Sequence, residues 1–430
     1  MGRGSKAGPN RFRAGPRAVS EPKRTHAPQG RPVARVTQSR AGLVSLLLPE
    51  NLGEQLALGH PWIYRNHLPS DLSLPNGSWV HLRSGKAEGY ALWDQSSPIA
   101  LRLFSRRQVP DSGWFRARVA DAVALRAPLR AASTTAYRLL YGEGDGIPGL
   151  TLDIYDRYAV VVTYADSVDT LVPAVLRAVR EQVALDGILQ RRRAPSDGNE
   201  RVVLLEGREP PRPLLVTEYG VRFVADLYAG QKTGLFLDHR ENRVYVRGQA
   251  QGRSVLNLFA YTGGFSLLAA LGGARSVTSV DIAPAAIAAA VENFRQNDLP
   301  AALHEGVVSD VFDYLEAARE QGRRFDLIVC DPPSFASSQS KQFAALRAYA
   351  RLNALGLSLV EPGGLYAAAS CTAQVSPEAF RLTLAQAAAR AGVRLQIVHD
   401  VGQPADHPIF IGHPEGRYLK FVVARVLGPV

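Results

Sequence analysis

Val255-Leu-Asn-Leu-Phe-Ala-Tyr-Thr-Gly-Gly-Phe265 decides the fold. It reads as an apolar strand, Val255–Phe259, running into a glycine turn at Tyr261–Gly264 and out into a helix over Phe265–Leu271. The pattern repeats downstream. A strand over Ser276–Ile282 ends near Asp281, and a helix over Ala285–Asn297 places Ile287, Val291 and Phe294 on one face. The strand-like Ala302–Val308 leads to Asp310, the natural N-cap of a helix over Val311–Arg319. Strand Phe325–Cys330 ends in Asp331-Pro332-Pro333. A helix over Leu346–Leu359 and a strand over Gly364–Ser370 then reach Cys371. Strands alternating with helices predict an α/β class domain, Rossmann-like, with a doubly wound and mostly parallel sheet and right-handed crossovers. Such sheets bind ligands beyond the carboxyl ends of their strands, where Gly263, Gly264, Asp281, Asp331 and Cys371 all fall.

Upstream the pattern differs. Short apolar runs at Val44–Leu48, Trp79–Leu82, Tyr90–Trp93 and Ala100–Phe104, separated by turn signals, predict a small β-rich domain. The next stretch reads as mixed α+β. Helices are expected over Arg116–Leu129 and Val168–Ala184, two strands over Gly149–Tyr164 around Asp156-Arg157, and a loop over the Arg-rich Gln190–Asn199. The expected organisation is a basic tail (1–41), the β-rich domain (42–112), an α+β middle domain (113–218) and the α/β domain (219–430).

Charge is concentrated at one end of the chain. The 430 residues carry a formal +11, of which residues 1–40 hold +9, leaving +2 for the rest. A uniformly basic nucleic-acid binder is thereby excluded. The tail has no apolar run of a secretory signal, its prolines interrupt any amphipathic helix, and its composition predicts a disordered arm, with two readings open: a solvated tail, or one with weak, salt-sensitive attraction to RNA phosphates. No stretch is long and apolar enough to predict a membrane helix. Two cysteines make no disulfide framework and fit a cytoplasmic setting. No metal-ligand cluster is evident.

The glycine turn lets a ligand approach the backbone, and a carboxylate at Asp281 is placed to accept ribose hydroxyls. A third glycine is missing and no phosphate loop is present, so a cofactor without a pyrophosphate fits better than a dinucleotide: S-adenosylmethionine. Asp310 is placed to meet the adenine amino group. Asp331, stiffened by two prolines, is placed to hydrogen-bond a planar base edge. Cys330 lies inside an apolar strand and reads as a small core residue. Cys371 sits at a strand end among hydroxyl residues on the ligand side, where a thiolate is able to attack C6 of a pyrimidine.

The chain resembles the bacterial large-subunit (23S) ribosomal RNA 5-methylcytosine methyltransferase family, of the type that joins a PUA-like domain to a class I S-adenosylmethionine-dependent methyltransferase domain. The resemblance runs from about Gly42 to the C-terminus and rests on His60-Pro61-Trp62, Gly142–Gly149, Lys232–Arg240, Phe259–Phe265, Asp331–Phe335, Ser370-Cys371, Ala405–Pro408 and Pro414–Lys420. It implies that Tyr261, Thr262, Gly263, Gly264, Asp281 and Asp310 hold S-adenosylmethionine, with Asp238 and Arg240 near its methionine end. It further implies that Cys371 is the nucleophile, that Asp331 binds the base near N3 or the exocyclic amine, and that large-subunit ribosomal RNA is the partner. Two positions depart from the family pattern, His239 for Gln and Ser334 for Lys. Three other readings compete: a methyltransferase for a guanine nitrogen, which needs no cysteine; a small-molecule methyltransferase, for which two accessory domains are unnecessary; and a non-catalytic RNA-binding or assembly factor. The base that removes the C5 proton is not identified, and a homodimer stays open.

Overall fold

Residues 33–37, 43–193, 200–335 and 342–428 are described by a computed structural model. Most of the tail (1–41) lies outside them. Within it Arg35–Thr37 (β1) is a strand, paired antiparallel with Val44–Leu47 (β2), so the expectation of disorder does not hold there. Ala34, beside it, is buried in the first domain's core, which gives these residues something to pack against.

After β2 come a helix, Glu50–Leu58 (α1), and strands Trp62–Tyr64 (β3), Trp79–Ser84 (β4), Ala87–Trp93 (β5) and Ile99–Ser105 (β6), in a sheet of order β1-β2-β4-β5-β6-β3. The helix and β3 were not legible as elements: both are short, and α1 ends on Gly59 in the left-handed conformation. Leu46, Leu82, Trp93 and Leu101 alternate inward, and α1 covers them with Leu52 and Leu56.

A long helix, Ser112–Ala131 (α2), capped by Asp111, opens the second region. Strands Ala136–Tyr141 (β7), Leu150–Tyr155 (β8) and Tyr158–Thr163 (β9) follow, then helices Asp166–Asp169 (α3) and Val172–Arg180 (α4), and strands Gly187–Arg193 (β10) and Glu200–Gly207 (β11). The sheet order is β11-β10-β9-β8-β7. The loop expected over Gln190–Asn199 is corrected for Gln190–Arg193, which pair with β9 and β11; residues 194–199 lie outside the described set. Two of these polar side chains, Gln190 and Arg191, find partners that hold the strand. Gln190 Nε2 donates to Asp169 Oδ1 at 3.1 Å, and Arg191 Nη2 donates to Gly230 O at 2.9 Å.

Leu214–Glu218 (β12) and Val221–Ala225 (β13) form a hairpin through the turn Tyr219-Gly220, so the division expected between 218 and 219 falls inside one paired element. Both strands pack into one core with Val255, Phe265 and Leu268 of the α/β domain and with Tyr155, Val160 and Leu189 of the middle sheet. The two regions share that core.

The α/β domain runs Arg240–Gln249 (α5), Ser254–Leu258 (β14), Gly264–Leu271 (α6), Ser276–Asp281 (β15), Pro284–Gln296 (α7), His304–Val308 (β16), Val311–Glu320 (α8), Phe325–Cys330 (β17), Gln342–Leu357 (α9), Val360–Ser370 (β18), Pro377–Ala391 (α10), Arg394–Val401 (β19) and Lys420–Leu427 (β20). The sheet order is β16-β15-β14-β17-β18-β20-β19, parallel except for β20, which runs antiparallel to both neighbours. The doubly wound α/β expectation holds. Strand order reverses between β14 and β17, and that switch opens the crevice. One detail is corrected: on α7, Ile287 and Phe294 are buried with Ala290, but Val291 is half exposed, because the short edge strand β16 is too narrow to cover it.

Candidate active site

The turn after β14 is built from backbone conformations that most residues avoid. Phe259 (φ 57°), Tyr261 (φ 47°) and Gly263 (φ 72°) are all left-handed. Side chains hold them there. Asp281, at the end of β15, accepts from Tyr261 N (2.8 Å) and Ala283 N (2.9 Å). Asn293 of α7 donates to Thr262 O (2.8 Å). The Tyr261 hydroxyl accepts from Gln231 N (2.9 Å) and donates to Gly234 O (3.2 Å), so the glycine turn and the Gln231–Gly234 loop are locked together.

Between them lies a cleft of about 1010 Å³, its open mouth included. Tyr261, Thr262, Gly264, Asp281, Asp331 and Cys371 line it. Phe236, Phe259, Phe265 and Ile282 supply apolar surface for a planar base. A carboxylate beside apolar rings, with a glycine edge where backbone meets ligand, fits the adenosine half of S-adenosylmethionine, and the cleft offers no phosphate cradle. Gly263 shapes this wall without lining it: a Cβ there would lie 2.6 Å from Ala290 Cβ.

Three expected cofactor contacts are not brought to the cleft. Asp310 is exposed and caps α8, accepting from Phe312 N (2.8 Å). Arg240 is buried against Asp406, and Asp238 is buried with Lys232 Nζ at 2.6 Å and the Tyr418 hydroxyl on the same oxygen. Leu237–His239 is a 3₁₀ turn entering α5. Its tight winding sends His239 to the cleft and leaves Asp238 and Arg240 facing the junction with the middle domain. The Asp238 carboxyl is held well below the usual carboxylate range: burial opposes ionisation, but Lys232 and two histidines outweigh it.

The end of the cleft at Cys371 gathers residues from several segments. Cys371 follows β18, and the hydroxyls on either side of it are tied down: Ser370 donates to the Tyr349 hydroxyl (3.0 Å), which bonds Thr372 Oγ1 (2.9 Å). Burial pushes the Cys371 thiol up and Asp331 adds to it, while Lys232 and Lys420 pull the other way. Asp331 faces His239, whose Nε2 lies 3.2 Å from Asp331 Oδ2. Asn242 Nδ2 sits 3.0 Å from the other ring nitrogen. His239, Lys232 and Lys420 were not picked out as site residues from sequence. The 3₁₀ turn hides His239, and Lys420 lies in a segment marked only by its resemblance. Cys330 is fully buried and its thiol is pushed up to about 12, as a core residue's should be.

Two family models match the chain: a PUA-like domain over residues 48–106 and an S-adenosylmethionine-dependent methyltransferase over residues 169–415. Ribosomal RNA large subunit methyltransferase I of Klebsiella pneumoniae (strain 342) is 33% identical over 392 residues, covering 89% of this chain and 98% of that protein. The protein of that name from Aeromonas salmonicida (strain A449) is 34% identical, covering 89% and 99%. Among solved structures, an S-adenosylmethionine-dependent methyltransferase from Streptococcus mutans superposes with a TM-score of 0.78 at 28% identity, covering 89% of this chain and all of the other. A methyltransferase complexed with SAH superposes at 0.80 with the same identity and coverage. With this fold, this cleft and these relatives, the chain belongs to the ribosomal RNA large subunit methyltransferase I family of S-adenosylmethionine-dependent enzymes.

Proposed function

We propose that the enzyme forms 5-methylcytosine in large-subunit (23S) ribosomal RNA, in the cytoplasm, with Cys371 as nucleophile. The observation that carries this reading is the position of Cys371: a partly exposed thiol on the same cleft wall as Asp331 and the cofactor turn. S-adenosylmethionine, held against Tyr261, Thr262, Gly264 and Asp281, supplies an electrophilic methyl group. The Cys371 thiolate adds to C6 of the cytosine, the electrons of the C5–C6 double bond make C5 nucleophilic, and C5 takes the methyl group. Loss of the C5 proton then restores the double bond and expels the thiolate. Asp331, kept in place by His239, binds the base near N3 or the exocyclic amine. Holding the two reactants in line supplies much of the acceleration. A cytosine in structured RNA has to leave its stack to enter the cleft. The substrate class is supported by the name the relatives carry, and we assign RNA holding to the PUA-like domain (42–112), linkage to residues 113–218 and chemistry to residues 219–430.

Mass mapping of ribosomal RNA from cells lacking the protein, complemented with the wild type or Cys371→Ala, tests this. Cytosine C5 methylation at one nucleotide should be absent without the protein, restored by the wild type and not by the variant. A methylated guanine nitrogen that survives Cys371→Ala would instead select the nucleophile-free reading.

A further inference from the structure

Lys420 is a buried amine beside the nucleophile. It is the first residue of β20 and pairs with Ser370, the last residue of β18, so the strand register sets it against the Ser370-Cys371-Thr372 segment. The residue is only 2% exposed. Its Nζ donates to Thr372 O at 2.6 Å and to Tyr418 O at 2.8 Å. Both acceptors are neutral backbone carbonyls, and among the described residues no carboxylate pairs with it. A neutral primary amine has two N–H bonds and one lone pair. Here the two N–H bonds are used and the lone pair is left over. A buried lysine with no counter-ion favours this neutral form.

We propose that Lys420 is the general base that makes the Cys371 thiolate. The S–H bond breaks and its electron pair stays on sulfur; the amine lone pair takes the proton and becomes an ammonium. That ammonium has three donors, two for the carbonyls it already holds and one for the thiolate it has created. The transfer turns a neutral pair into an ion pair without changing the net charge of the cleft. Burial draws the Lys420 amine down to about 8, while burial and Asp331 push the Cys371 thiol up, and the charges facing the amine are Cys371 from the end of β18 and Arg417 from its own segment. Asp331, Asp238 and Lys232 act on the Cys371 side, the two carboxylates opposing the thiolate and Lys232 favouring it. This role rests on the reading of Cys371 as nucleophile.

Two measurements on the full-length protein test it. The first is the rate of iodoacetamide alkylation at Cys371, followed by mass spectrometry against pH, in the wild type and in Lys420→Met. Cys330, fully buried, serves as the unreactive internal control. The wild type should gain reactivity with a midpoint near that of the amine. Lys420→Met should be at least about tenfold slower at pH 7.5, with its midpoint moved up, while still binding S-adenosylhomocysteine; equal profiles overturn the proposal. The second needs no change at Lys420. In protein with 13C at the lysine ε-carbons, the Lys420 midpoint should fall in Cys371→Ala relative to the wild type, because coupling is reciprocal. An unmoved midpoint overturns the proposal even where Lys420→Met fails to fold. Retained cytosine methylation in Cys371→Ala would instead sink the nucleophile assignment, whatever the amine does.

Discussion

Arg240 and Asp406 meet where the middle and catalytic domains touch, and both are almost fully buried. Asp406 also accepts from Arg138 N (3.0 Å) and contacts His407 Nδ1 (3.1 Å), and its backbone carbonyl takes Arg126 Nη2 (2.7 Å). Burial alone would push its carboxyl up; His407, Arg240 and the Arg138 amide instead bring it to about 2. Removing one partner from such a pair strands the other charge. Arg240→Ala should therefore lose about 3–5 kcal/mol of unfolding free energy in urea titration. It should do so with little change in intrinsic cofactor affinity, since Arg240 does not line the cleft. A variant as stable as the wild type, or one that binds S-adenosylhomocysteine far more weakly while fully folded, would return Arg240 to the cofactor. The same residues mark how far the site was legible. Asp281, Asp331 and Cys371 were readable because a parallel strand's end fixes where its last side chain goes. Asp238, His239 and Arg240 were not, because one tight turn decides which of three adjacent polar residues lines the cleft, and sequence spacing carries no sign of that winding.

At the scale of elements, the glycine turn joins β14 to α6 and depends on Gly263 for two reasons. Its φ of 72° disfavours any side chain, and a Cβ there would meet Ala290 Cβ of α7 at 2.6 Å, with nothing flexible to give way. Gly264 differs: its backbone is ordinary, and a Cβ there would meet only the Arg243 side chain, at 3.0 Å. Left-handed strain costs about 1–2 kcal/mol before the contact with Ala290 is counted. Gly263→Ala should thus weaken S-adenosylhomocysteine binding by about tenfold or more in calorimetry, and Gly264→Ala by less. The reverse order would mean that the turn's conformation matters less than direct ligand approach. The strands and helices around this turn were legible to within a few residues because apolar strand and amphipathic helix alternate without interruption from Val255 to Ser370. What escaped were elements whose pattern is set by partners far away in the chain. The polar strand at Gln190–Arg193 is stabilised by Asp169 and by the 227–230 loop, and the hairpin Leu214–Ala225 packs into a core supplied by two domains.

Across the whole molecule, four of the segments that carried the resemblance converge on one junction. Trp62 Nε1 donates to Glu143 Oε1 (2.7 Å) and its ring packs 4.4 Å from that of His413. The Tyr141 hydroxyl donates to Gly416 O (3.0 Å), and a Cβ on Gly144 would collide with Pro408 O at 1.8 Å. The PUA-like domain, the middle domain and the last segment of the catalytic domain are therefore joined by fitted contacts, and what reaches RNA from the described residues does so as one surface. Residues 41–430 are close to neutral overall, carrying only +2 of the chain's +11. Position on the RNA is then expected to come from shape and local patches, and the +9 of residues 1–40 is expected to add attraction that does not depend on sequence. Each phosphate contact made by such a segment steepens the dependence of log affinity on log salt by about 0.7–0.9. Deleting residues 1–32, all of which precede β1, should lower affinity for a ribosomal RNA fragment at low salt and flatten that slope by several units. Near physiological salt the two proteins should converge, and mass mapping should find the methyl group on the same nucleotide. A deletion that moves the modified position would show that the tail selects the site, and an unchanged slope would show that its charge never meets the phosphates.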